Sequence, residues 1–517
     1  MLEKKELEAV INDNIYQVIK ELLENNNQIS NDDIQDIEDY FSVLDTNPEV
    51  KDKIIKERDA LDIMLQNLDE NQDINVEHDK RCKVKKKKFL DLVLYLLDVR
   101  DKMLNSDISN PDVIYGSILS EYIKVITDVN SKIKTPGMAV GLKDKQGAEI
   151  YFYTGRRCNV TNYNGDKFKV DRNTQFDVAS ITKTFTTLQA LKKHEDNILD
   201  INENVSNYEI LSTKDKRYNN LDIPVIEMAK FGHKIITDGR IDDDISKRDL
   251  ENRLYGCNVM KNCYIYSDIP YVVLGDLIYD QDYFTECFQR EMKMINTGYG
   301  RSFYHNQGFN GNNLTGSKFS RKGLPSDPKA RSLMSYGMPS GHAGLFTTSE
   351  DLTKLLSGIN EGFLREESIQ NLITPLFSKP IKYNDSGIPH IINGKYVNKN
   401  KAMGVYIPHP YGINHTEVVD VLSSDSFSAV GSTGCYTTYD LKGGMTSNIL
   451  ANPFEIYKTK PDGYNHTLNE LKEQQIYTMI ALRVAKKSLE EVAVKTASSK
   501  LYYKTRKVFT KRIILKT

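Results

Sequence analysis

The 517-residue sequence has no tryptophan, and no glycine occurs before Gly116. It also has almost no net charge: 69 Lys and Arg stand against 71 Asp and Glu, a balance of −2. That balance gives no overall pull toward nucleic acid or an anionic membrane. Long apolar runs are missing too. The best, Phe89–Leu97, is short and interrupted by Asp91, well under the ~20 residues a membrane-spanning helix needs. The opening residues, Met1-Leu-Glu-Lys-Lys-Glu-Leu-Glu8, lack the apolar stretch of a secretory signal, so an intracellular, soluble protein is expected. The six cysteines (Cys82, Cys158, Cys257, Cys263, Cys287, Cys435) show no paired metal-ligand spacing and read as reduced, mostly buried thiols.

Residues 1–110 are highly charged and free of glycine. Apolar residues recur there with helical period, at Leu7, Val10, Ile11, Ile15, Ile19 and Leu22, then at Ile54, Leu61, Ile63, Leu65 and Leu68, predicting a helical extension. Its basic run Lys80–Lys88 reads as a solvated helix start or as a phosphate-binding or localisation patch. Near residue 117 the texture changes. A helix over 118–133 leads into two strands, 136–143 and 149–155, joined by the polar turn Lys143-Asp-Lys-Gln-Gly147, which predicts a hairpin. Residues 499–517 are expected as a basic tail, since 486–517 hold ten Lys/Arg and two Glu.

Three Ser-x-x-Lys tetrads occur: Ser131–Lys134, Ser180–Lys183 and Ser326–Lys329. Residues i and i+3 of a helix share a face, so a serine can meet a lysine amine one turn on. Pro328 disrupts a helical turn in the third tetrad, and the first sits among hydrophilic residues just ahead of Pro136-Gly137. Only Ser180 opens a long amphipathic run, with Ile181, Phe185, Leu188 and Leu191 on one stripe. A helix N-terminus also offers partial positive charge where an oxyanion would form. Ser180 is thus a candidate nucleophile with Lys183 as its proton acceptor; a helix cap with a solvated lysine is the plainer reading. As a neutral base Lys183 would need its pKa lowered by about three units, ~4 kcal/mol.

Two further stretches fit a shared site. Tyr266-Ser267-Asp268 offers a phenol for proton transfer and a carboxylate that could hold Lys183; an exposed loop tip before a helix is the alternative. Ala429-Val-Gly-Ser-Thr-Gly-Cys-Tyr436 reads as a strand with hydroxyls at Ser432 and Thr433 and with glycines that permit close backbone approach, or else as an edge bulge.

In order and surroundings these stretches resemble the serine β-lactamase and penicillin-binding-protein superfamily, in the branch of class C β-lactamases, low-molecular-weight penicillin-binding proteins and related esterases. Pro136-Gly-Met-Ala-Val140 looks like its entry strand, Leu199–Tyr208 like the segment after its nucleophile helix, Ser340–Leu352 like a loop-to-helix signature of its members, and Met445–Pro453 like the strand after its third motif. The resemblance covers roughly residues 115–498. It implies an α+β, β-lactamase/transpeptidase-like fold, with an antiparallel sheet flanked by helices and an inserted helical domain, after a helical N-terminal extension. It makes Ser180 the nucleophile, Lys183 its proton acceptor, Tyr266 a general base or acid and Asp268 the residue that positions Lys183. Backbone N–H groups of Ser180 and Cys435 would form the oxyanion hole, and Ser432, Thr433 and Gly434 would line the substrate's carboxylate side. His342 is expected as a structural turn residue. No cofactor and no metal are implied.

The chain departs from the pattern at three places. Ser432 stands where relatives begin the third motif with Lys or His, which removes a cation beside the site. Val225–His233 replaces the usual Leu-Leu-Thr-His-Thr-Ser-Gly, and Asp268 replaces Asn, an exchange that would raise the Lys183 pKa. The expected division is a charged helical extension (1–110), a hydrolase domain (115–498) and a basic tail (499–517). The expected function is a serine hydrolase acting on a small-molecule, peptide or ester substrate through an acyl-Ser180 intermediate. The alternative is a catalytically impaired scaffold that engages a protein partner through its N-terminal helices. Neither membrane nor nucleic-acid binding is expected.

Overall fold

The computed structural model describes residues 2–26, 29–42, 49–66, 74–133, 135, 137–156, 169–209, 218–242, 245–261, 266–299, 325–376, 391–392, 395–396, 401–408, 419–451 and 464–516. Leu68, Pro136, Cys158, Cys263, Asn452 and Pro453 lie outside them, as do the side chains of Lys80 and Arg81. In chain order the strands are β1 (Gly137–Asp144), β2 (Glu149–Gly155), β3 (Phe176–Asp177), β4 (Lys234–Ile236), β5 (Asn258–Met260), β6 (Gly298–Tyr299), β7 (Leu345–Thr347), β8 (Ile391–Ile392), β9 (Lys395–Tyr396), β10 (Ser426–Gly431), β11 (Cys435–Asp440), β12 (Met445–Ala451) and β13 (Arg512–Lys516).

The main sheet has the order β10-β11-β12-β1-β2-β13. The expected hairpin is there, with Met138 opposite Thr154 and Lys143 opposite Glu149. β1 also pairs with β12, so the first strand of this region lies beside the last strand before the helix Tyr464–Lys495. Side chains alternate across a strand, and both faces are covered. Met138, Val140, Leu142, Ile150 and Phe152 point into one core, Ala139, Tyr151 and Tyr153 into the other. This two-sided burial is why the strands read as nearly continuous apolar runs. The second core holds the helices between β3 and β9 and all the elements of the candidate site.

The N-terminal helices are α1 (Lys4–Glu24), α2 (Asn31–Ser42), α3 (Val50–Gln66), α4 (Ile74–Leu104) and α5 (Pro111–Ile133). They are not a detached extension, because they share the first core with β1, β2 and the helix Tyr464–Lys495. The α1 stripe is buried at every predicted position, and in α3 Ile54 and Leu61 are buried while Ile63 is exposed. The basic run is spent internally rather than solvated. Lys86 contacts Asp33, Asp36 and Glu57, Lys88 pairs with Glu473 at 2.8 Å, and Lys85 donates to Asn26 at 2.9 Å.

The expected basic tail is also corrected. Residues 499–516 form a helix, Ser499–Phe509, followed by β13, which lies parallel to β2 with Ile513 opposite Ile150. Ile513 and Ile514 pack against the two cores on opposite faces, and Arg512 pairs with Glu350. The consecutive apolar residues Ile513-Ile514-Leu515, two of them β-branched, give this segment strand character despite its charge, and the sheet is mixed rather than wholly antiparallel. Among the described residues no helix is long and apolar enough to cross a membrane.

Candidate active site

Ser180 sits in a 3-10 turn, Ala179–Ile181, and helix α6 (Thr182–Glu195) begins after it. The turn is built from its flanks. β3 pairs with β7, and the buried Asp177 carboxylate accepts from the Ala179 and Ser326 amides at 2.9 and 2.7 Å. Ala179 is held at φ +43, a left-handed backbone that a side chain adopts only when its surroundings enforce it. A 3-10 turn stacks residues i and i+3, so Ser180 and Lys183 meet although Ser180 precedes the α-helix. α6 is not buried along one side only. Lys183, Thr184, Thr186 and Thr187 are as buried as Ile181, Phe185, Leu188 and Leu191. Thr186 donates to the Gly341 carbonyl at 2.7 Å, and Thr187 bonds the Tyr271 hydroxyl at 3.0 Å, which satisfies buried hydroxyls that one apolar face would not need.

The Lys183 ammonium is 1% exposed and donates to Ser180 Oγ (3.0 Å), Asp268 Oδ1 (2.9 Å) and the His342 carbonyl (3.1 Å). Burial pulls its pKa down, but the Tyr266 phenol and the Asp268 carboxylate outweigh burial and raise it above the ordinary value. Asp268 is the mirror case. Burial would raise it, and Lys183, His342 and Lys329 hold it well below the usual carboxylate range. Lys183 is therefore a cation at neutral pH, as the Asn-to-Asp departure foretold.

Tyr266 donates to Ser180 Oγ at 2.9 Å and is 40% exposed, the most open of the four side chains. Asp268 immediately precedes the helix Ile269–Ile278 without capping it through its side chain, and that helix packs against α6 and brings Asp268 to Lys183. The divergent segment 225–233 borders this pair. Phe231 places its ring 5.2 Å from Tyr266 and 5.4 Å from Tyr271, and its backbone is left-handed at φ +57.

The third stretch approaches the nucleophile's turn through Gly431, one of the two glycines expected to permit close backbone approach. A Cβ on Gly431 would lie 2.4 Å from the Val178 carbonyl, so only glycine lets β10 close on the turn before Ser180. Ser432 is exposed at the hairpin tip, and Gly434 takes φ +96 there. Thr433 is buried and donates its hydroxyl to the Asp177 carbonyl at 2.7 Å, which fastens the hairpin to β3. The Cys435 thiol is buried between the Asp177 and Ala451 carbonyls and pushed up to about 12 by burial, so only its backbone can serve a substrate. The stretch thus touches the nucleophile's turn, while one of its two hydroxyls is structural.

Sequence reasoning missed three residues here. Lys329, from the tetrad set aside because of Pro328, pairs with Asp268 Oδ2 at 3.0 Å and Asp327 at 3.5 Å. Asp327 in turn bonds the His342 ring at 2.8 Å, and the other ring nitrogen faces Ser340 Oγ at 3.3 Å. Lys401 lies with its ammonium 4.4 Å from the Tyr266 ring centroid. Pairing across loops leaves no local pattern, which is why none of these stood out. Asp268, Asp327 and His342 are the one group of metal-type donors among the described residues. Its carboxylates already balance two ammonium groups, so it is an ion-pair network, and no cysteine enters it.

Residues 124–231 match the family model described as Beta-lactamase, a span that runs from α5 through Ser180 and Lys183 to Phe231. No curated protein matches the sequence. Similar solved structures include a LovD6 mutant of simvastatin synthase (LovD) from Aspergillus terreus, at 14% identity and TM-score 0.48 over 70% of this chain and 97% of that one. D-amino acid amidase from Ochrobactrum anthropi SV3 complexed with L-phenylalanine is similar at 14% identity and TM-score 0.48 over 69% and 98%. SurE with D-Leu is similar at 12% identity and TM-score 0.46 over 69% and 74%. Over residues 124–231, the span that holds Ser180 and Lys183, this chain is thus similar to the Beta-lactamase family, and its described residues form an α+β fold.

Proposed function

We propose that the protein is a serine hydrolase that forms an acyl ester on Ser180 with an amide, ester or β-lactam substrate. The observation that carries this reading is the position of Ser180 Oγ, 3.0 Å from the Lys183 ammonium and 2.9 Å from the Tyr266 hydroxyl. Both distances are within reach for proton transfer. Because Lys183 is held as a cation, the group left within reach of Ser180 Oγ is Tyr266, which acts as the base once it has given its own proton to solvent. It takes the Ser180 proton as Oγ bonds to the carbonyl carbon. The oxyanion so formed lies at the backbone N–H groups of the Ser180 turn and of the Gly431–Cys435 hairpin end. Collapse breaks the bond to the leaving group, which takes the proton from Tyr266. Water, giving a proton to Tyr266, then attacks the ester carbonyl, and as the bond to Oγ breaks Tyr266 passes that proton to Ser180 and the acid product leaves. Lys183 stabilises the phenolate throughout, and Asp268 fixes Lys183.

The test is intact-protein mass after exposure to a fluorophosphonate and, separately, to a fluorescent penicillin. The expected result is a single adduct that Ser180→Ala abolishes. Folded wild-type protein that stays unlabelled by both would overturn the reading in favour of a binding module.

A further inference from the structure

We propose that Asp327 and Lys329 are positioning residues that fix two acceptors of the Lys183 ammonium and so aim its remaining N–H at Ser180 Oγ. This rests on the acyl-serine reading above. An ammonium has three donors and no acceptor. Those of Lys183 go to Ser180 Oγ at 3.0 Å, Asp268 Oδ1 at 2.9 Å and the His342 carbonyl at 3.1 Å. The three N–H bonds keep fixed angles to one another, so two held acceptors set the direction of the third bond. Those two acceptors are tied together outside Lys183. Asp268 Oδ2 accepts from Lys329 at 3.0 Å, Lys329 also reaches Asp327 Oδ2 at 3.5 Å, and Asp327 Oδ1 bonds the His342 ring at 2.8 Å. The contacts therefore close into a circuit that runs from Lys183 through Asp268, Lys329, Asp327 and the His342 ring to the His342 carbonyl, and back to Lys183.

Asp327 is the joint of this circuit. It caps the helix Pro328–Ser335, whose Ala330 N–H donates to the same Oδ1 at 2.9 Å, so the carboxylate is anchored to a regular element. His342 is fully buried, and its second ring nitrogen faces Ser340 Oγ, which donates to the Ala343 carbonyl at 2.8 Å. The loop around His342 is also held one residue earlier. The Gly341 carbonyl accepts from Thr186 at 2.7 Å, and a Cβ on Gly341 would lie 2.2 Å from the Tyr271 carbonyl. That contact sets the distance of the loop from α6, whereas the bond from the His342 ring to Asp327 orients the next carbonyl along, the one Lys183 uses. Bonds to an ionised carboxylate are shorter and stronger than neutral ones, which suits them to this task. Both Asp327 and Lys329 act on Ser180 through Lys183.

Asp327→Asn keeps an oxygen for the Ala330 N–H but removes the charge that faces Lys329 and the His342 ring, and Lys329→Met cuts the circuit on its other side. Two readouts decide the matter. In the first, the protein carries lysine isotopically labelled at Nζ, and the Lys183 ammonium resonance is assigned by its loss in Lys183→Met. An ammonium bonded through all three protons is protected from exchange with water. The wild type should therefore show the resonance, both variants should lose it to exchange, and Lys329→Arg, which can span both carboxylates, should retain it. In the second, the fluorophosphonate labelling rate at saturation should fall roughly tenfold to a hundredfold in each variant with the half-saturating concentration unchanged, the cost of misplacing a group beside the reacting atoms. The double variant should be no slower than the slower single one, since both cut one circuit. A wild type without the resonance would overturn the proposal. So would folded variants that keep both the resonance and the saturated rate, which would leave Asp327 a helix cap. Should Asp327→Asn not fold, Lys329→Met reads the same circuit. The resonance needs no turnover, so a wild type that no probe labels would sink the hydrolase reading while still deciding whether Asp327 and Lys329 hold Lys183.

Discussion

Lys329 donates to Asp268 Oδ2 at 3.0 Å while Lys183 holds Oδ1 of the same carboxylate at 2.9 Å. One side chain thereby ties two of the chain's three Ser-x-x-Lys tetrads into a single site. The extra anion introduced by Asp in place of Asn is met by an extra cation, and the buried network stays balanced.

Asp268→Asn should lower the pKa of Lys183 by removing the anion that raises it. The folded pKa of Lys183 is raised, so its contribution to stability is complete below its unfolded value of ~10.4 and is lost as pH rises through the folded value. That of Asp268 is depressed, so its contribution is present above ~3.9 and lost as pH falls through the folded value. The variant should therefore lose about 3–5 kcal/mol between those limits. The descending, alkaline limb of its acylation profile should also shift to lower pH. Urea unfolding at pH 7 and a labelling series from pH 5 to 10 check both; an unmoved alkaline limb would exclude Lys183 as the group that titrates there.

Tyr266→Phe should leave stability within about 0.5 kcal/mol, since the side chain is 40% exposed. It should slow acylation of Ser180 by ~10²–10⁴. Stopped-flow labelling measures the rate, and retention of more than half of it would show that another group takes the serine proton.

Lys230, beside Phe231, is buried at 7% exposure and its amine is lowered by burial to about 8. Here the folded state binds fewer protons than the unfolded state between about 8 and ~10.4, so stability rises with pH through that window. Lys230→Met should stabilise the protein by about 1–3 kcal/mol at pH 7, with the gain fading toward pH 10. Thermal unfolding at pH 7 and pH 10 gives the comparison; equal shifts at both would show that the lysine is not desolvated.

Deleting residues 511–517 should destabilise the protein by roughly 2–4 kcal/mol, because it strips β13 from the edge of β2 together with the partly buried Ile513 and Ile514. A free basic tail would be lost without cost, so unchanged denaturant midpoints would return the segment to that role.

Much of the candidate site was legible because its parts carry local chemistry. Ser180 and Lys183 are three residues apart, and Tyr266 and Asp268 two, so a spacing could point to each pair. Lys401 and Lys329 were not legible, because they reach the site across 135 and 61 residues from Tyr266 and Asp268, and no period encodes such a distance. Lys329 was passed over for a sound local reason: Pro328 does open a new helix, Pro328–Ser335, rather than a Ser-x-x-Lys turn. In the third stretch the glycines pointed to a close backbone approach, which Gly431 makes, whereas nothing local showed that the Thr433 hydroxyl would be spent on the Asp177 carbonyl. β13 was mistaken for a tail because the charge around it hid the short apolar run Ile513-Ile514-Leu515.

The union of α1 with the helix Tyr464–Lys495 brings together parts of the chain that are synthesised far apart in time. Asn14 donates to Glu491 at 2.9 Å, a separation of 477 residues. In a growing polypeptide α2 and α4 can pack on α1 early, but the side of α1 that the helix Tyr464–Lys495 covers stays open until that helix is made, a period in which exposed hydrophobic surface invites aggregation.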